Sequence, residues 1–200
     1  MKEVKHFLVS GTAVALGFFL TMFSGSSVFS QVPGIDRSGE IEVIKDNSLR
    51  KSDPQRVIKA IEEVTAPYRA RPVTSTEPIP AEIVSALLDL LDFEIPGSGN
   101  PDFDITAGQK VYPVMRALTE MRAPVLTGLI GVVEEEDTAS VRSSNAVAVI
   151  RRILGDDVNA SDYFRVNASA SKTETGKQRL LSAAETVTDE HQKFQNWVEN

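Results

Sequence analysis

Residues 124–155 read PVLTGLIGVVEEEDTASVRSSNAVAVIRRILG, and their pattern decides the fold class. Residues 125–134 are apolar at helical spacing, 135–140 form a short acidic turn, and 141–154 form a second helix closed by Gly155-Asp156-Asp157. Two helices joined by so short a turn lie antiparallel as a hairpin. Apolar side chains occupy both arms, so the unit cannot bury its faces alone and requires a neighbour.

The chain supplies one upstream. IVSALLDLL at 83–91 superposes on VLTGLIGVV at 125–133 with an offset of 42 residues, and the apolar positions nearly coincide. A second helix follows in each copy, at 111–118 and then at 146–153, with a longer loop in the first copy. Two helices per unit at this period resemble a HEAT repeat. Leu129, Ile130 and Val133 match that family's first helix, Glu136-Asp137 its acidic turn, and Val141-Arg142 the opening of its second helix. Ala146, Ala148, Val149 and Ile153 match the remainder. Pro124 lies about one turn before the family's usual proline, the first copy has no Val-Arg pair, and Asn145 stands where a small alanine is usual. The resemblance spans 81–155, with a degenerate unit at 52–66 as a further candidate. It implies an all-α fold, a short right-handed stack of antiparallel hairpins. For Arg142 it implies a structural bridge to acidic turn residues, its own or a neighbour's, and Asn145 is read with it as structural.

Around this core the chain divides by composition. Residues 1–30 have a short basic start at Lys2 and Lys5, an apolar stretch from Phe7 to Phe23 and a small polar run before Gln31. That is the pattern of a cleaved signal peptide, and the stretch is short for a membrane span of about 20 residues. It predicts export to a periplasmic or extracellular space, with membrane contact only through an uncleaved leader. Residues 31–51 show no helical period and read as a mobile lead-in; a weak alternation at Ile41, Val43 and Ile44 suggests at most a short strand. Ser52-Asp53-Pro54 is helix-start chemistry, and Val57, Ile58, Ile61 and Val64 continue it until Pro67. Further helices are predicted at 81–93 and 107–121, the latter kinked at Pro113 or starting near Tyr112. Residues 156–170 read as a polar linker. Residues 171–200 form a C-terminal amphipathic helix opened by the capping-box pattern Ser171-Lys172-Thr173-Glu174. Its stripe of Leu180, Ala184, Val187, His191, Phe194 and Trp197 is expected to dock the helix onto the array's end, a partner-binding tail being the alternative.

The residues that carry chemistry are few. A net charge of −7 offers no basic stripe for phosphates, which argues against a nucleic-acid partner. With no cysteine and two histidines, thiolate chemistry and an imidazole-rich metal site are excluded. Glu94, Asp102 and Asp104 lack the alternation of a calcium loop and read as a solvated acidic loop. His191 reads as a packed side chain, and Asn159-Ala160-Ser161 and Asn167-Ala168-Ser169 match the glycosylation acceptor pattern. No phosphate loop, paired catalytic carboxylates or cofactor motif is present, so no metal, cofactor or catalytic residue is expected. The expected function is non-catalytic binding of a protein partner or scaffolding. Candidate contacts are Arg116, Arg151, Arg152 and the run Glu134, Glu135, Glu136 and Asp137. The rivals are a ligand-binding protein or enzyme with its site in the helical groove, and a structural subunit of an envelope assembly.

Overall fold

A computed structural model describes residues 36–69, 78–95 and 112–198, all within one compact unit. The leader at 1–30, most of the acidic loop at 94–104 and the stretch 107–111 lie outside the described residues.

The described residues are all-helical, with no strand. In chain order the elements are α1 (Ser38–Lys45), α2 (Asn47–Ser52), α3 (Pro54–Arg69), α4 (Ala81–Leu88), α5 (Pro113–Met121), a 3-10 turn (Ala123–Val125), α6 (Leu126–Glu135), α7 (Val141–Leu154), α8 (Asp157–Ala170) and α9 (Glu174–Val198). The helical hairpin that the 124–155 pattern predicts is α6 and α7. Ser140 caps α7 by accepting the Ser143 N–H at 3.0 Å, and Gly155 ends it in the left-handed region at φ 85°.

Several boundaries differ from the sequence reading, each for a local reason. Within 31–51, expected to be mobile, two short helices form instead, and Ile44 is completely buried. In so short a helix, Ile41, Val43 and Ile44 present too few apolar positions to distinguish a period of 3.6 from alternation. Residues 156–170, expected as a linker, form α8, capped by Asp156 through the Asn159 N–H at 2.7 Å. Its buried residues are Ala160, Ser161, Phe164 and Ala168, so a single large side chain carries the apolar signal. Burying Phe164 contributes about 2–3 kcal/mol to docking a helix that looks polar from outside. Pro67 lies inside the last turn of α3, which runs on to Arg69. α4 stops at Leu88 and tightens into a turn, with Leu90 N–H bonding Leu87 O and Leu91 N–H bonding Leu88 O. The cap of α9 is Thr173, which accepts the Gly176 N–H at 3.0 Å, two residues later than the capping-box pattern places it.

The two copies at offset 42 have matching burial. Ile83, Leu87, Leu90 and Leu91 are buried, as are their counterparts Val125, Leu129, Val132 and Val133. α4 packs on α6, and α5 on α7. At the first crossing a Cβ on Gly128 would lie 2.7 Å from Leu88 Cδ1 and 3.4 Å from Val84 Cγ1. The last hairpin attaches differently. α8 packs on α7 while α9 returns onto α6, so contacts run α6–α7–α8–α9 and back to α6. That is the neighbour pattern of a four-helix bundle. α1, α3, α5 and α4 close a second ring of the same kind.

Candidate interaction surface

Arg142 and Asn145 lie one turn apart on α7 and face the C-terminal end of α4. A helix end leaves carbonyls without intrahelical partners, and buried ones need donors from elsewhere. The Asn145 amide donates to Leu91 O at 2.6 Å in a buried position. Arg142 donates to Leu88 O at 3.4 Å, sits 3.6 Å from the Asp89 carboxylate, and pairs with Glu136 in its own hairpin turn. Both side chains tie the second hairpin to the first, and neither points to a ligand.

The acidic run is largely internal architecture as well. Glu136 is held by Arg142, and Asp137 accepts the Ala139 N–H at 2.8 Å, shaping the turn. The backbone carbonyls of Glu134 and Glu135 receive Arg179 from α9 at 2.9 and 2.7 Å. Beside them a Cβ on Gly176 would crowd the cap of α9 itself, at 2.9 Å from Thr173 Oγ1 and 3.0 Å from Ser171 Oγ, and would touch Glu134 Cβ at 3.4 Å. Only the carboxylates of Glu135 and Asp137 lie on exposed residues of this run; Glu134 and Glu136 are half-buried.

The three candidate arginines separate. Arg151 is engaged inside the fold, joining α7 to Asp157 of α8 at 2.7 Å and to Glu190 of α9. Burial opposes its charge, but the hydrogen bonds and charges of Asp157 and Glu190 prevail and hold the guanidinium above its ordinary value. Arg116 is exposed and pairs with Glu120 at 2.9 Å along α5, a pairing that raises its pKa. Glu120 also forms an ion pair with Arg69 at the end of α3, at 2.8 Å. Arg152 is half-buried and makes no ion pair among the described residues. These positions do not converge on one site.

The sequence motifs weighed for chemistry are likewise structural. His191 lies 3.4 Å from Asp157 Oδ2, beside the Arg151 network rather than in a cleft. Ser161 of the first acceptor pattern is buried and hydrogen-bonded to Ala184 O and the Thr188 hydroxyl. Asn167 of the second donates to Tyr163 O at 2.8 Å. Among the described residues no group of acidic and histidine side chains could hold a metal ion. An open groove of about 430 Å³ lies between the turn at Thr138 and the start of α9, lined by Glu174, Thr175, Gln178, Arg179 and Ser182. Gln178 bonds Glu174 there at 2.7 Å, and Arg179 is held by the α6 carbonyls. No helix among the described residues is long and apolar enough to cross a membrane.

The surface that stands out is the far end of the α9 stripe, for which docking and a partner-binding tail are the two expectations. α8 and α9 pair antiparallel, with Ser161 opposite Ala184 and Thr188, and Asp157 opposite His191. α8 begins at Asp157, so the last two turns of α9 extend beyond it by about 12 Å. The stripe Leu180, Ala184 and Val187 is buried as expected, and His191 is half-buried. Beyond them Phe194, Trp197 and Val198 are 59%, 76% and 58% exposed, and the two rings approach with centroids 6.2 Å apart. The signal that could have revealed this was length: a 25-residue helix outruns a 14-residue partner.

No family model matches this chain, and neither a curated protein nor a solved structure does.

Proposed function

We propose that this chain is a non-catalytic helical scaffold that binds a protein partner outside the cytoplasm, with the projecting end of α9 as its main contact. The observation that carries the reading is the Phe194–Trp197–Val198 face, which continues a buried stripe past the end of its own partner helix. Aromatic side chains dominate binding energy where they fill a pocket, and an amphipathic helix end fits an apolar groove on a partner. Export rests on the leader pattern in residues 1–30. The HEAT-like reading, a short right-handed stack with a docked C-terminal helix, is supported by the matching burial at offset 42 and by the α4–α6 and α5–α7 packing. The return of α9 onto α6 makes the last hairpin a bundle-like cap on that stack.

The test is affinity capture from the chain's own envelope fraction, comparing the intact mature protein with a Phe194→Ala/Trp197→Ala variant. A protein retained by the first and reduced about tenfold or more in the second supports the reading. Equal recovery by both, or recovery of a bound small molecule and no protein, overturns it.

A further inference from the structure

We draw no further inference here: the strongest candidate, the exposed Phe194–Trp197–Val198 end of the last helix, belongs to the surface already proposed for partner binding, and nothing in the structure shows what covers it.

Discussion

The Asn145 side chain donates to the Leu91 carbonyl across 54 positions of sequence at 2.6 Å, and Arg142 reaches Leu88 across the same interval. The shared interval means that one turn of α7 reads one turn of chain at the end of α4. A small alanine at position 145 would leave the Leu91 carbonyl buried without a donor. Asn145→Ala is therefore expected to cost about 1–3 kcal/mol, lowering the melting temperature by about 2–4 °C for each kcal/mol. A thermal melt within 1 °C of the parent, by this scale, would show that the carbonyl finds another partner.

Gly128 and Gly131 make an internal comparison within α6. Nothing lies within 4 Å of a Cβ built on Gly131, whereas one on Gly128 would press Leu88 of α4 at 2.7 Å. Gly131→Ala should stabilise by up to about 1 kcal/mol through helix propensity alone. Gly128→Ala gains the same propensity but must move the end of a flexible leucine, so its net effect is smaller. Gly128→Leu, with no room to relax, should cost several kcal/mol, on the order of an overpacked core. Chemical denaturation of the three variants checks the order; equal values for the two alanines would remove the close α4–α6 approach.

Arg122 joins α5 to the following 3-10 turn with φ 63° and ψ −142°, a conformation that suits glycine. The residue is exposed. Replacing it with glycine should raise stability by about 1 kcal/mol, the strain relieved less the added freedom of the unfolded chain. Arg122→Ala keeps the strain and should change little. If the alanine variant gains as much as the glycine variant, the side chain rather than the backbone is responsible.

Trp197 is the chain's single tryptophan and is 76% exposed. Its fluorescence should show a solvent-exposed emission maximum and quench readily with a water-soluble quencher. Phe194→Ala/Trp197→Ala should leave the melt within about 0.5 kcal/mol of the parent, as exposed substitutions do. A blue-shifted spectrum in the purified protein, or a large loss of stability in the variant, would mean that this end of α9 is already covered.

Acidification should loosen α2 at its cap. The Asp46 carboxylate caps α2, and the side-chain and backbone hydrogen bonds from Ser48 hold its pKa below the usual carboxylate range. A group whose folded pKa is depressed stabilises the fold above its unfolded value and loses that contribution as pH falls through the folded one. Hydrogen exchange in α1 and α2 should therefore rise at low pH, and Asp46→Asn should flatten that dependence. Exchange in these helices that is indifferent to pH after correction for the intrinsic rate would count against the cap.

What was legible in the chain was what depends on spacing along it. The hairpin at 124–155, the apolar positions of its upstream counterpart and the start of α3 at Asp53-Pro54 follow from period, capping chemistry and turn residues. For Arg142, a bridge to acidic turn residues was what the resemblance to a HEAT repeat implied; it pairs with Glu136 and lies 3.6 Å from Asp89. Tertiary structure decided the rest, because it depends on which surfaces meet. α8 hides its helical character behind small buried residues, and its short length leaves the end of α9 uncovered. Arg151 looks like a free surface cation in sequence, yet Asp157 and Glu190 reach it only once three helices converge. Periodicity along the chain determined the helices; the lengths and crossings of those helices decided that Phe194, Trp197 and Val198 stay exposed.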